Sequence, residues 1–473
     1  MLRTVVVKEY AELRQSPRLR WSLLALYGLF VVALLSGYRY YTYTHTARQA
    51  AQEASYRQWL GQDKKNPHSA AHYAFYAFKP VPLLAVLDKG LDDYLGTNVY
   101  LEAHKQDDVT DRAAQDAADL SRYGSLTVGF VWQYLLPLAI ILLTFNLVSQ
   151  ERESGTLRLL LTTDTPPTTL VLGKGLAVGK VVLGWFFGPM LVLSLGALLL
   201  AGGVEETLRQ LPALLVLAVG YTLFFALVIA LSLAVSGRVR SSGLALVVLL
   251  GGWAFGAFLV PRLSGSVASS LYPTPSAFAF TEEITEASEN GMPGVDAEKK
   301  FRSKLEAQTL RQYHVDSLSQ LPVSYAGISL QASENRTYLI FDRFYGELAG
   351  TLQQQNQVRR GFNLLSPLLA MRNLSRALAG TDYDKHLDFT QQAERKRRAL
   401  QKQMNDNIKA HAAPEGTYEA ADELWRSVAP FRYQPLGVGT VLSRQWLSLL
   451  ALLLWAGGAV ALFVVSTRRL SPN

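Results

Sequence analysis

Residues 211–235 read LPALLVLAVGYTLFFALVIALSLAV, and no charged group interrupts them. A bilayer core takes about 20 predominantly apolar residues in a helix, and this run supplies them. Five further stretches resemble it: 21–38, 126–148, 176–201, 244–260 and 446–466. The second contains Pro137, the third carries only Lys180 near one end, and the fifth contains Gly251-Gly252. One such run would fit a buried helix of a soluble protein. Six of them, with so few charges inside, predict six transmembrane helices. The first is not a cleavable signal peptide, because its basic lead-in is long and no small-residue cleavage site follows. Tyr38, Tyr40, Tyr41 and Tyr43 follow instead, as an aromatic belt does at a membrane interface.

The composition agrees with a mixed molecule. The chain has 473 residues, 49% hydrophobic and 18% charged, with a mean hydropathy of +0.11. That is too apolar for a disordered chain and too charged for a bare membrane bundle; soluble domains carry about 25% charged residues. The absence of cysteine excludes disulfides, thiolate metal sites, iron–sulfur clusters and cysteine nucleophiles. The net charge of +8 is an orientation signal. With both termini on one side, that side carries Arg3, Lys8, Arg14, Arg18, Arg20, Arg152, Arg158, Lys174, Lys180, Arg238, Arg240, Arg468 and Arg469 against Glu9, Glu12, Glu151, Glu153 and Asp164. The short loop 202–210 on the other side has Arg209 against Glu205 and Glu206, and the long segments 39–123 and 261–445 are close to neutral. The positive-inside rule therefore places both termini in the cytoplasm and both long segments outside. Because the surplus sits on the flanks of the spans, it does not point to nucleic acid.

Segment 39–123 reads as mostly helical, with Ala-rich polar runs at 47–60 and 109–122 and breaks at Asn66-Pro67 and Lys79-Pro80. Segment 261–445 opens with a Ser/Pro-rich stretch, 264–280. An amphipathic helix follows at 296–321, with Phe301, Leu305, Leu310, Tyr313 and Leu318 near helical spacing. Residues 343–360 and 387–408 are two more helices, and 327–330 and 337–341 read as short strands. The expected fold is an all-α membrane protein: six transmembrane helices and a mostly helical extracytoplasmic domain formed from two insertions.

No G-x-x-x-x-G-K-[ST] loop, G-x-S-x-G elbow or H-E-x-x-H pair occurs. His68 and His72 stand at i, i+4, a spacing that can grip zinc or copper from one helix face. Asp382, Asp384, His386 and Asp388 alternate, and on a strand they would share one face as an oxygen-rich cation site. Exposed His and Asp near a turn are usually solvated, so no metal is assigned to either group. Within the spans, charged residues are nearly absent; Lys180 is close enough to the cytoplasmic end to snorkel, which argues against an ion-driven carrier. Gln133, Asn146, Tyr221 and Thr222 read as partners in interhelical hydrogen bonds.

The loop 149–175 is the most informative stretch. Residues 150–179 read QERESGTLRLLLTTDTPPTTLVLGKGLAVG. Glu151 and Glu153 open it, Gly155 permits a turn, residues 156–161 form a short apolar helix, and Pro166-Pro167 stops it. Ahead of the first span, residues 1–20 are amphipathic: Val5, Val6, Val7, Tyr10 and Leu13 alternate with Lys8, Glu9, Glu12 and Arg14, a pattern that lies in an interface. Here the sequence resembles the permease subunits of ATP-binding-cassette (ABC) transporters of the type-2 exporter class. The family's loop pattern is an acid, Gly-Thr-Leu, leucine pairs, a proline and Leu-Gly-Lys. In this chain these are Glu151, Gly155-Thr156-Leu157, Leu159-Leu160-Leu161, Pro166 and Leu172-Gly173-Lys174. Asp164-Thr165 departs from it by lengthening the link to the proline.

The resemblance implies that this loop is a coupling helix, with Glu151, Gly155, Thr156, Leu157, Leu160, Leu161 and Pro166 docking in a cleft of a separate ATPase subunit. It implies an interfacial helix carrying Val6, Tyr10 and Leu13. It also implies a dimer of permeases over a dimer of ATPases in a bacterial inner membrane, with ATP and magnesium held by the ATPase and no cofactor or catalytic residue in this chain. The large insertions set it apart from the compact drug and polysaccharide exporters, and gliding-motility and nitrous-oxide-reductase accessory permeases are broad relatives. Leu321-Pro322-Val323, Leu365-Ser366-Pro367-Leu368 and Ala379-Gly380-Thr381-Asp382 resemble the insertion of a subgroup whose extracytoplasmic domain has no established role. Three functions fit: an ATP-driven permease for export, a mechanotransmission device acting on a periplasmic partner without moving solute, and a membrane enzyme using the Asp382–His386 group.

Overall fold

The computed structural model describes residues 1–116, 125–162, 165–412, 418–468 and 470. Six of its helices are long and apolar enough to cross a membrane: Pro17–Leu60, Val128–Glu153, Pro167–Arg209, Leu211–Arg238, Ser242–Leu271 and Trp446–Arg468. Among the described residues the only sheet is a two-stranded pair, so the chain is an all-α membrane protein. Its spans keep large apolar side chains on the outside, among them Leu200, Val192, Val219, Val247 and Leu453. A soluble surface rarely carries such a belt, but a lipid-facing one needs it. Inside the bundle, Trp132 lies 5.1 Å from Tyr221 and 5.3 Å from Phe187, and Phe187 lies 5.2 Å from Phe225, locking spans two, three and four by edge-to-face ring contacts.

Three spans contain a π-helical turn: Val131–Leu135, Val182–Phe187 and Phe255–Leu259. Each ends two residues before a proline, Pro137, Pro189 and Pro261. Proline has no N–H to donate, and its ring collides with the carbonyl one turn back; the widened turn removes the collision without breaking the helix.

The ends of the spans differ from the apolar runs. The first helix does not stop at the tyrosine belt but continues to Leu60, taking in the polar run 47–60. The third begins at Pro167, and it turns sharply at Gly203 (φ +73°) into a short segment that leads to the fourth. The fifth reaches Leu271, beyond the start of the Ser/Pro-rich stretch.

The two insertions build one polar domain. The first supplies the short helix Pro67–His72 and the antiparallel strands Tyr76–Phe78 and Asn98–Tyr100, with Ala77 opposite Val99. Of the helix expected over 109–122, Ala113–Asp116 is helical and 117–122 lie outside the described residues. The second supplies helices Ala277–Asn290, Glu298–Tyr313, Tyr325–Gly361, Pro367–Ala379 and Tyr383–His411. A common core joins them: Trp59, Phe75, Phe389, Leu400, Met404 and Trp425 are buried together. Trp59 Nε1 donates to the Trp425 carbonyl at 2.9 Å, tying the end of the first span's helix to the far end of the second insertion.

Two sequence expectations are overturned. Residues 327–330 and 337–341 are not strands; both lie in the 37-residue helix Tyr325–Gly361. That helix packs along Tyr383–His411, and its short apolar runs spread round the helix: Tyr338 faces Arg397 and Arg398, Ile340 packs with Ala287 and Val295, and Leu339 is exposed. The approach is close at Gly327, where a Cβ would sit 2.4 Å from the Lys409 nitrogen. The alternating Asp382–Asp388 group is not on a strand either. Asp382 caps Tyr383–His411, and the rest lie in its first turns. Residues two apart in a helix point about 200° apart, so the group splits, Asp382 and His386 falling on one side and Asp384 and Asp388 on the opposite one.

Candidate functional site

The loop after the second span is organised around one lysine. Helix Ser149–Glu153 brings Glu151 beside Lys174 of the third span, and the amphipathic helix Leu2–Gln15 brings Glu9 to the other side. Lys174 Nζ donates to Glu9 Oε1 and to Glu151 Oε1, both at 2.8 Å, and it is only 3% exposed. Helix Leu2–Gln15 can lie so close because residue 173 is glycine: a Cβ there would sit 2.5 Å from Val5 Cγ1. The Leu-Gly-Lys signature therefore has a physical content, with a glycine seating helix Leu2–Gln15 and a lysine joining that helix to Ser149–Glu153.

Gly155 follows at φ +73°, a left-handed conformation that glycine adopts without a Cβ penalty. It starts the short helix Thr156–Leu161. On this helix Leu157 is fully buried, Leu160 and Leu161 are half-buried, and Thr156 is exposed. Leu159 is 71% exposed and presents the apolar surface. Leu157 is thus an anchor for the helix, and Leu159, absent from the docking residues expected from the sequence, is the side chain offered outward. Pro166 is exposed just before helix Pro167–Val181; Asp164 lies outside the described residues. In the N-terminal helix Val6 and Leu13 are buried and Tyr10 is half-buried, its hydroxyl accepting from Trp185 Nε1 at 2.8 Å.

At the opposite end of the spans the polar domain enters the bundle. Residues 83–88 of the first insertion pass between spans one and three; the Val86 carbonyl lies where a Cβ on Gly37 would be 2.1 Å away. Helix Pro367–Ala379 of the second insertion packs against spans four and six through Leu368, Met371, Leu374 and Leu378. Where they meet, the buried carboxylate of Asp88 accepts from Ser375 Oγ at 2.6 Å and Gln133 Nε2 at 3.1 Å. Gln133 also donates to the Tyr221 hydroxyl at 2.9 Å, which donates to Ser375 Oγ at 3.1 Å. The Thr381 hydroxyl donates to the Asp88 carbonyl at 3.0 Å. One knot thereby joins both insertions to spans two and four. Gln133 and Tyr221 do bond across helices, as read from the sequence. The sequence reading missed Asp88 and Ser375, because both lie in segments assigned wholly to the outside.

The other candidate residues fall elsewhere. Asp382 accepts from the Lys385 N–H at 3.1 Å, Asp384 pairs with Arg360 at 2.5 Å, and Asp388 accepts from Gln392 at 2.7 Å. His386 is pushed down to about 4 by burial. These four do not converge on a cation. His68 and His72 do converge, with Nε2 atoms 3.3 Å apart, and His104 from the far end of the same insertion joins them. Burial and the two neighbouring imidazoles push His68 down to about 4.

Residues 74–281 match the family model described as ABC-2 family transporter protein, and residues 277–434 match a domain of unknown function, DUF3526. No curated protein matches the chain. The first match takes in spans two to five, and the second falls between spans five and six. The match over residues 74–281, together with the six apolar helices, supports an ABC-2 type permease that carries an added domain of unknown function.

Proposed function

We propose that this permease is driven by a separate ATPase subunit that docks on helix Thr156–Leu161, and that the stroke is passed through the spans to the polar domain. The observation that carries this is a pair of buried polar junctions toward the two ends of span two, one at Glu151 and one at Gln133. Lys174 ties the docking loop to span three. The Asp88–Gln133–Tyr221–Ser375 knot ties spans two and four to both insertions. Buried polar networks of this kind break only at a cost of several kcal/mol, roughly 3–5 when a charge is left unpaired, so they move as units. ATP and magnesium belong to the ATPase, and the reaction of this chain is a conformational one. The basic flanks of the spans support a cytoplasmic docking face and an extracytoplasmic domain in a bacterial inner membrane. The apolar outer surface of the spans suits pairing with a second permease copy as well as lipid.

Co-purification of the ATPase subunit with the Leu159→Glu variant tests the docking. Loss of the ATPase is expected, with Leu159→Met retaining it. Undiminished recovery with the glutamate would overturn the reading.

A second reading, work delivered to a periplasmic partner without solute passage, is favoured by the knot itself. It sets the domain residues Asp88 and Ser375 against the directly bonded pair Gln133 and Tyr221 of spans two and four. Solute flux in vesicles, measured beside ATP-dependent pull-down of a partner by the full complex, separates the two.

A further inference from the structure

We infer that His68, His72 and His104 form a binding site for a borderline divalent transition-metal ion, zinc by geometry, in the polar domain. The inference does not depend on the ATPase reading. His68 and His72 share one face of the short helix Pro67–His72, which Asn66 caps by accepting from the His68 N–H at 2.8 Å. His104 arrives after the strand Asn98–Tyr100. The Nε2 atoms of His68 and His72 are 3.3 Å apart, those of His68 and His104 are 3.4 Å apart, and the three donor atoms lie within 4.8 Å of one another. A tetrahedral zinc with Zn–N of about 2.0–2.1 Å sets its nitrogens about 3.3–3.4 Å apart. Two of the three separations already have this value, and a rotation of the rings closes the third.

The tautomers point the same way. His104 Nδ1 lies 2.6 Å from Glu334 Oε1, and the His104 backbone N–H donates to the same oxygen at 2.9 Å. Nδ1 therefore carries the hydrogen, and Nε2 turns a lone pair toward the other two rings. A single ring hydrogen on His68 would then have to serve two nitrogen neighbours, whereas one cation serves all three lone pairs. Glu334 is 1% exposed and is held from behind by Arg397 at 3.7 Å. It is thus the carboxylate that orients a ligating histidine, and it comes from the second insertion while all three histidines come from the first.

His104 itself sits at φ +61°, a left-handed conformation that costs a non-glycine residue about 1 kcal/mol or more. The two bonds to Glu334 hold it there, and that backbone turn is what aims its ring at the pair. The site keeps a position open: the His104 side chain is 39% exposed and borders a cavity of about 980 Å³ together with Tyr76, Tyr100, Glu102 and Asp107. Three imidazoles with an open fourth position describe a site that exchanges or presents its ion, in contrast to a closed structural one. Neutral imidazoles select zinc or copper over calcium and magnesium, which take oxygen ligands.

The test uses the full chain purified in detergent through a histidine-free tag, stripped with chelator, and titrated with Zn²⁺ against a chromophoric competitor. Co²⁺ serves as the spectroscopic probe of four-coordinate geometry. One ion per chain is expected, with a Zn²⁺-dependent rise in melting temperature and visible Co²⁺ bands. His104→Ala should weaken binding at least about 100-fold, and Glu334→Gln, which keeps all three ligands, about 10–100-fold. His314→Ala should change nothing. Fewer than about one ion per ten chains, or equal binding by the His104→Ala and parent proteins, overturns the site. Should His104→Ala fail to fold, His72→Ala replaces it with the same two outcomes. Cu²⁺ binding with the same variant pattern supports the site and reassigns its ion.

Discussion

Lys174 is buried with two carboxylates, and among the described residues it pairs with no other acid. Removing one member of such a group leaves an unpaired buried charge, which costs about 3–5 kcal/mol, whereas replacing the whole group with apolar residues is often neutral. Lys174→Met should therefore lower the unfolding midpoint in detergent strongly. The triple variant Glu9→Leu, Glu151→Leu, Lys174→Met should recover most of the loss. Equal damage in both would show that the residues act independently. Asp382 offers a pH test in the polar domain. Burial, helped by Asp384, pushes its carboxyl up to about 6. An aspartate raised in the folded state holds its proton longer than the unfolded chain does, so stability is lost as pH rises from about 4 to 6 and stays lost above. Asparagine keeps the cap and carries no charge. Asp382→Asn should melt with the parent at pH 4 and above it at pH 7, by about 1–3 kcal/mol in stability. A gap that does not grow with pH would exclude this account.

Among the elements, the π-helical turns before Pro137, Pro189 and Pro261 place a softened point in spans two, three and five. The entry of residues 83–88 between the spans depends on a different device. Gly37 lets the first helix touch the Val86 carbonyl, and no side chain fits between them. Gly37→Ala forces the two apart and should cost about 1–3 kcal/mol, as overpacking generally does. The measurement is the melting temperature in detergent, with Gly28→Ala as the control, because nothing lies within 4 Å of a Cβ at that position.

For the whole molecule, the two polar junctions make a specific demand. Asp88→Ala removes the acceptor that Gln133 and Ser375 share, while leaving the docking loop intact. The ATPase should still co-purify, but ATP-dependent changes in hydrogen exchange across Tyr383–His411 should disappear. Their persistence would place the transmission elsewhere. Sidedness can be read directly because the chain has no cysteine. A cysteine at Arg14 should react only with membrane-permeant reagents in intact cells, and one at Lys105 with impermeant ones. The reverse pattern would invert the assigned topology.

Much of the membrane part was legible in the sequence because its physics is local. A charge-free run such as 211–235 must be a helix in lipid whatever surrounds it, since no water is present to satisfy its backbone. The short helix after Gly155 was legible for the same reason, in a glycine, a leucine run and a proline. What surrounds these elements was not. The sequence assigned segments 39–123 and 261–445 to the outside and found the spans almost free of charge; the tertiary structure bonds Asp88 to Gln133 and Ser375 to Tyr221, 45 and 154 residues apart in the chain. It likewise joined His104 to a histidine pair 32 residues earlier and turned the alternating Asp382–Asp388 group into divergent positions of a helix. Hydrophobic length and periodicity determined the spans and the short helix after Gly155, and the charges flanking the spans gave the expected orientation, all of them properties of neighbouring residues. Which distant polar groups meet depends on how the insertions fold back on the bundle, and only the packed structure decided it.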